Sequence, residues 1–262
     1  MSQQPIGIFD SGVGGLSILK AIQHHLPNEN LLYFADSKYA PYGKLDQKIL
    51  HERCRFIAQF FVEKNAKALV IACNTATAVM ADWLRAEFDL PIIALEPAIK
   101  PAAEITKTNN IGVFATENTL HSERYLSLLQ KYAKDKKVFE SSCAGFVEQV
   151  ELGELATPKT LSLIENYLNP MLEQNIDVLV LGCTHYPFLE QSIRKIAGEH
   201  QLEILDTADA VSLQLTRVLA EHELLNFDGH HQDLFFTSSQ LQQAKPVFSK
   251  LLNTDITVVE VS

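Results

Sequence analysis

Two cysteines offer the plainest chemistry in this chain. Cys73 sits near the end of Ala68–Thr75, ALVIACNT, and Cys183 near the end of Val178–His185, VLVLGCTH. In each phrase an apolar run stops at a thiol that is followed by small polar residues. A thiol has an ordinary pKa near ~8.5, so only a few per cent is thiolate at neutral pH. A thiolate can remove a proton from a carbon acid, and a thiol can return one. One of each on opposite faces of a carbon would invert it, with roles that swap with direction and without a cofactor. Taken singly, either cysteine reads more readily as a small buried apolar residue. Two in the same sequence setting favour the chemical reading.

Polar neighbours accompany both thiols. Asp10 ends the first apolar run and could accept a proton from Cys73 or bind a substrate ammonium; the plainer role for such an acid is helix capping. His185 lies two residues beyond Cys183 and is the acid–base neighbour expected on that side. Asp36 and Glu148 fall in matched loops, either at the rim of a pocket or as solvated loop acids. Ser11, Thr75, Thr116, Thr119 and Thr184 stand at helix starts. There hydroxyls and backbone N–H groups hold carboxylates, or simply cap the helix. Gly12, Gly14 and Gly15 in DSGVGG allow a tight turn close to a ligand. The segment is no dinucleotide fingerprint, because Ser17 stands where the third glycine belongs. Pro41-Tyr42-Gly43 reads as a turn able to lay backbone donors over a pocket. Cys54, inside an amphipathic helix, reads as core, and Cys143, in SSCAGF, as a loop thiol. His24-His25 and His230-His231 read as exposed pairs without the pattern of a metal helix.

The elements that must position these groups are written twice. The two cysteines lie 110 residues apart. Ile6–Phe9, IGIF, is echoed by Ile111–Phe114, IGVF; Leu31–Phe34 by Val138–Phe139; and Ile92–Leu95 by Glu203–Leu205. Amphipathic helices are expected at Leu16–Leu26, Asp46–Glu63 and Ala76–Phe88, with counterparts at Leu120–Ala133, Pro158–Gln174 and Phe188–His200. Short aliphatic strands alternating with helices imply parallel sheets covered on both faces. The expected fold is therefore α/β, with two pseudo-symmetric doubly wound domains. The tail continues with a helix at Ala208–Glu221, a strand at Leu234–Thr237, a helix at Gln240–Leu252 holding Pro246, and a strand at Ile256–Val259. It has no partner in the second copy and should extend the first. The expected domains are 1–97 with 208–262, and 98–207. Ligands of open parallel sheets bind beyond the C-terminal strand ends, so the active site is expected at the domain interface.

Composition narrows the class. The 262 residues are 47% hydrophobic and 21% charged, with a net charge of -10. That composition suits a globular chain and argues against a nucleic-acid partner. The one dense basic run, Lys134–Lys137, reads as a solvated turn. No apolar stretch approaches the roughly 20 residues of a membrane span, and MSQQPIGIF has no leader pattern. Four cysteines without CxxC spacing suit neither a disulfide framework nor a zinc site, so a reducing cytoplasm is expected.

FDSGVGG, YFADSKYAPYG, ACNTAT and GCTHYP together resemble the glutamate racemase family, from Ile6 to about Asp209. The resemblance implies cofactor-independent, metal-free racemisation of glutamate, supplying D-glutamate for peptidoglycan. It places Cys73 on the D-glutamate α-proton and Cys183 on that of L-glutamate. It carries substrate contacts to Asp10, Ser11, Tyr42, Gly43, Asn74, Thr75, Thr116, Thr119, Thr184 and His185, and assisting acids or bases to Asp10, Asp36, Glu148 and His185. Glutamate is then the small-molecule partner, with neither nucleic acid nor membrane, and a homodimer is the assembly to weigh. Some family members carry an N-terminal extension and need a peptidoglycan precursor as activator. Only five residues precede the first strand here, so no such requirement is expected. The alternatives are an aspartate or related amino-acid racemase, which commonly has an acid where His185 stands, and a non-catalytic binding protein of the kind reported to inhibit DNA gyrase.

Overall fold

A computed structural model describes residues 2–228 and 232–261. His230-His231 lies outside the described residues. The chain divides into two compact units, Met1–Leu95 with Ala208–Ser262, and Glu96–Thr207. Each is a parallel sheet with helices on its faces.

The first unit runs β1 (Ile6–Asp10), α1 (Leu16–His25), β2 (Leu31–Ala35), α2 (Gln47–Glu63), β3 (Ala68–Ile71), α3 (Asn74–Glu87) and β4 (Ile92–Ala94). The second runs α4 (Ile99–Ile105), β5 (Asn110–Ala115), α5 (Glu117–Leu120), α6 (Glu123–Tyr132), β6 (Lys137–Ser142), α7 (Phe146–Glu151), α8 (Pro158–Leu172), β7 (Val178–Gly182), α9 (Glu190–Ala197) and β8 (Glu203–Leu205). The tail adds α10 (Ala208–Glu221), β9 (Asp233–Thr237), α11 (Leu241–Leu252) and β10 (Val258–Glu260).

The six-stranded sheet has the order β10-β9-β2-β1-β3-β4, and the four-stranded sheet β6-β5-β7-β8. Every pairing is parallel. The second order repeats the β2-β1-β3-β4 portion of the first, so the echoed phrases occupy equivalent strands. β1, β2, β3 and β7 are buried along their whole length, which is why they read as continuous apolar runs without alternation. The tail joins at β2, where Leu31 pairs with Asp233 and Ala35 with Thr237. α10 packs on α1, and Ser212 Oγ donates to the Ala21 carbonyl. Below the sheet, Lys67 is buried against Glu29 and also donates to the Ser2 and Leu224 carbonyls.

Several expected boundaries shift for local reasons. The helix expected over Leu120–Ala133 is two helices, because Ser122 accepts from the Tyr125 N–H and starts α6 afresh. The helix expected over Phe188–His200 begins as a 3-10 turn at Tyr186–Leu189, and α9 stops at Gly198, whose φ is +60°. α4 and α7 are additional short helices. Glu148 therefore lies in the first turn of α7, not in a loop. His24 is exposed as expected, but His25 is half-buried with Nδ1 3.0 Å from the Ala21 carbonyl. β10 starts at Val258, two residues later than the apolar run suggested.

Gly7 and Gly112, the glycines of IGIF and IGVF, explain why those phrases recur. A Cβ on Gly7 would lie 2.6 Å from the Phe61 ring, and one on Gly112 would lie 2.7 Å from Ile176 Cδ1. Each glycine lets apolar side chains close directly onto a central strand. Gly7→Ala and Gly112→Ala should each cost about 1–3 kcal/mol through overpacking. A lowered thermal midpoint would show it, and an unchanged midpoint in both would mean the facing side chains yield.

Candidate active site

In the first unit, parallel pairing brings three strand ends together. β1 lies between β2 and β3, with Asp10 opposite Ala35 and Phe9 opposite Ile71. The ladder continues past the strands: the Asp36 N–H donates to the Asp10 carbonyl, and the Ala72 N–H to the Phe9 carbonyl. Asp10, Asp36 and Cys73 thus leave the same edge of one sheet.

Asp10 is fully buried, and its carboxylate organises the DSGVGG loop. Oδ1 accepts from the Ser11 N–H at 2.6 Å and the Ser11 hydroxyl at 3.1 Å, and Oδ2 accepts from the Gly15 N–H at 2.5 Å. Gly15 must be glycine to sit there: a Cβ would meet Asp10 Cβ, Ala72 Cβ and Tyr33 Oη within 3 Å. The Tyr33 hydroxyl secures the same loop by donating to the Gly12 carbonyl at 2.7 Å.

Cys73 is the N-cap of α3, and its sulfur accepts from the Ala76 N–H at 3.5 Å. Unpaired N–H groups at a helix start favour negative charge, so this is a suitable seat for a thiolate. Asn74 and Thr75, the first residues of α3, are buried beside it. Asn74 Oδ1 is enclosed without a protein donor. An enclosed acceptor without a donor is costly.

Asp36 is also fully buried, not at a rim. Arg53, from α2, meets it with Nε at 3.0 Å and Nη2 at 2.8 Å, and the Tyr42 hydroxyl donates to it at 2.6 Å. Burial alone would lower the Arg53 pKa, but the bonds and charge of Asp36 outweigh it and raise the value. Burial, then the neighbouring Cys54 and Asp36, push the Tyr42 phenol well up, so it stays protonated. Tyr42 and Gly43 form a 3-10 turn, Tyr42–Lys44. Cys54 is core, as its position on an amphipathic helix implied.

The second unit repeats the frame with different side chains. Ala115 ends β5 where Asp10 ends β1, and the Cys143 N–H donates to the Ala115 carbonyl as Asp36 does to that of Asp10. Thr116 caps α5: its Oγ1 accepts from the Thr119 N–H at 3.3 Å and lies 2.9 Å from the Thr119 hydroxyl. Cys183 follows β7, and Thr184 and His185 are buried after it. Cys183 Sγ lies 3.8 Å from His185 Nδ1, and His185 Nε2 lies 2.7 Å from Glu151 Oε1. The carboxylate fixes the tautomer: Nε2–H donates to Glu151, which leaves Nδ1 to exchange a proton with the thiol.

Sequence reasoning missed Glu151, Arg53 and Tyr186. Glu148 is half-buried one turn earlier on α7, near the Tyr167 and Tyr186 phenols, whose pKa values are raised by burial first and by Glu148 to a smaller extent. Reading FVEQVE as helix would have placed Glu148 and Glu151 on one face, three residues apart. Tyr186 is fully buried; its hydroxyl donates to the Ala115 carbonyl at 3.2 Å, and its ring packs 5.2 Å from that of Phe146 on α7. This aromatic contact joins the helix that carries Glu151 to the turn that carries His185. Among the described residues no group of three or more His, Cys, Asp or Glu is arranged to hold a metal ion, and no helix is long and apolar enough to cross a membrane.

Thiols at equivalent strand ends, one capping a helix and one beside an imidazole, are equipped for proton transfer at carbon. The family model for Asp/Glu/Hydantoin racemase matches residues 16–215. A glutamate racemase from Ectopseudomonas mendocina is 44% identical over 96% of this chain and 95% of its own. Among solved structures, a glutamate racemase isoform from Bacillus anthracis has a TM-score of 0.88 at 30% identity, covering 100% of this chain and 98% of that one. One from Francisella tularensis, in complex with D-glutamate, has a TM-score of 0.85 at 30% identity, with the same coverage. The chain belongs to the glutamate racemase family, within this wider class of amino-acid racemases.

The contact at His185 separates the two α7 carboxylates. Glu151→Gln should lower turnover about 10- to 100-fold by releasing the imidazole. Glu148→Gln should change it less than about threefold on the same scale. Steady-state rates of the two variants decide between them, and the reverse order would return the assisting role to Glu148.

Proposed function

We propose that this chain interconverts L- and D-glutamate by a two-base reaction, with Cys73 acting on the α-proton of the D-enantiomer and Cys183 on that of the L-enantiomer. One sulfur, as thiolate, removes the α-proton. The other sulfur, as thiol, delivers its own proton to the second face. The proton count balances, and the two sulfurs exchange protonation states in each turnover. The observation that carries this reading is the placement of a buried cysteine, outside any disulfide, at the same point of two equivalent sheets, just beyond the strand beside the central one.

The two seats suit the two steps. The Ala76 N–H and the start of α3 favour an anionic Cys73, while the Glu151–His185 pair can accept or return the Cys183 proton. The reading assigns the two carboxylates to the backbone and hydroxyl groups around Ser11, Tyr42-Gly43, Thr75, Thr116, Thr119 and Thr184. The Thr184-His185 pair, together with the glutamate racemase relatives, supports glutamate over aspartate as substrate. The reading includes a cytoplasmic setting, supported by four free cysteines, supply of D-glutamate to peptidoglycan, and a homodimer as the assembly to weigh by light scattering.

Conversion in D2O without added cofactor tests it. L-glutamate should yield D-glutamate labelled at Cα before label enters the recovered L-glutamate, and likewise in reverse. Early label in the starting pool means one base serves both faces and removes the two-thiol reading; turnover of aspartate but not glutamate removes the substrate assignment. Cys73→Ser and Cys183→Ser should each reduce racemisation by at least about 100-fold, the scale of losing a positioned acid–base group.

A further inference from the structure

The ion pair between Arg53 and Asp36 is not needed by the two-thiol reaction as written. Its carboxylate is fully buried and its guanidinium partly exposed, and replacing a buried pair with apolar side chains is often neutral or stabilising. Its geometry indicates what it does instead. The guanidinium engages both oxygens: Nη2 meets Oδ1 at 2.8 Å, and Nε meets Oδ2 at 3.0 Å. Oδ2 also accepts the Tyr42 hydroxyl at 2.6 Å. The guanidinium carbon lies 4.3 Å from the centre of the Tyr39 ring and 4.7 Å from that of Phe56, so aromatic rings hold it as well. Segment 36–44 is thereby fastened at three points to one arginine: at Asp36, at Tyr39 and, through Asp36, at Tyr42.

Tyr42 is the point that matters for chemistry. It packs in one cluster with Cys54 and Cys73. With both oxygens of Asp36 engaged, that carboxylate is poorly placed to carry a proton to Cys73. It is well placed to hold a phenol still. Lysine could supply the charge but not the two-pronged fit.

Resting on the racemase reading above, we infer that Arg53 is a positioning residue for the Cys73 step: it holds Asp36 as the fixed acceptor of the Tyr42 hydroxyl and so keeps the Tyr42-Gly43 turn in register beside Cys73.

The test compares wild type, Arg53→Lys, Tyr42→Phe and their double variant, using α-protio and α-deutero D- and L-glutamate. Arg53→Lys should lose about 10- to 100-fold in kcat, the cost of a small misplacement, with KM changed less than about threefold. Its isotope effect should rise for D-glutamate, whose proton Cys73 takes, and not for L-glutamate. Adding Tyr42→Phe should cost little more, because both changes act through one turn. Wild-type kcat in Arg53→Lys, equal isotope changes for the two enantiomers, or fully additive losses would each overturn the inference. Should Arg53→Lys not fold, the uncharged pair Asp36→Asn with Arg53→Met replaces it, with the same rate and isotope pattern expected and the same results overturning the inference. A wild-type protein that fails to racemise glutamate would remove the racemase reading and this inference with it. A racemising wild type indifferent to Arg53 removes this inference alone.

Discussion

Everything chemical in this protein depends on a parallel strand buried at the middle of its sheet. Parallel neighbours run the same way, so their C-terminal ends fall on one edge. The residue that follows each strand is then held by the ladder before its side chain makes any contact. The bonds from Asp36 to Asp10 and from Ala72 to Phe9 do this in the first unit, and the bond from Cys143 to Ala115 does it in the second. The central strand tolerates this only because Gly7 and Gly112 leave room for apolar side chains to close over it. Packing thus sets where the polar groups emerge, and the polar groups only choose partners.

Given one frame used twice, the differences between the copies carry the information. Asp10 and Asp36 correspond to Ala115 and Cys143, so one unit has two buried carboxylates at its strand ends where the other has none. Buried charge must be matched locally. Asp10 is matched by the N–H groups of its own loop, and Asp36 by Arg53 from the neighbouring helix. In the second unit the acid–base group is brought from outside the strand ends, by α7, as Glu151 against His185. A helix start serves one thiol and an imidazole–carboxylate pair the other.

Legibility in the sequence follows the same division. β1, β2, β3 and β7 were readable because burial on both faces forces unbroken aliphatic runs, and the long helices because one face must be apolar. α4 and α7 escaped because seven and six residues are too few for a helical period to stand out. The split at Ser122 depended on one hydroxyl choosing a backbone N–H, which periodicity does not report. Asp10, Asp36, Cys73 and Cys183 were identifiable because each stands next to a strand end. Arg53 and Glu151 were not, since each reaches its partner from a helix 17 or 34 residues away in sequence. Their roles exist only after the chain has folded.

The four cysteines show how far the frame alone can assign a role. Cys54 is enclosed in the core, and burial pushes its pKa up. Cys143 shares the strand-end position of Asp36 and is pushed up by burial and then by Cys183. It is bonded to the Ser141 carbonyl and stays a neutral thiol. Nor is it a disulfide partner for Cys183. The strands before the two cysteines flank β5 on opposite sides, so at roughly 4.8 Å per strand their backbones lie about 10 Å apart. A disulfide spans at most about 7 Å between Cα atoms. Being a cysteine at the edge of the sheet is therefore insufficient. Cys73 and Cys183 differ from the other two in what meets the sulfur: the Ala76 N–H at the start of α3 for one, His185 Nδ1 for the other. A group able to stabilise a thiolate or exchange its proton, more than position alone, separates the two proposed bases from the two thiols that only fill space.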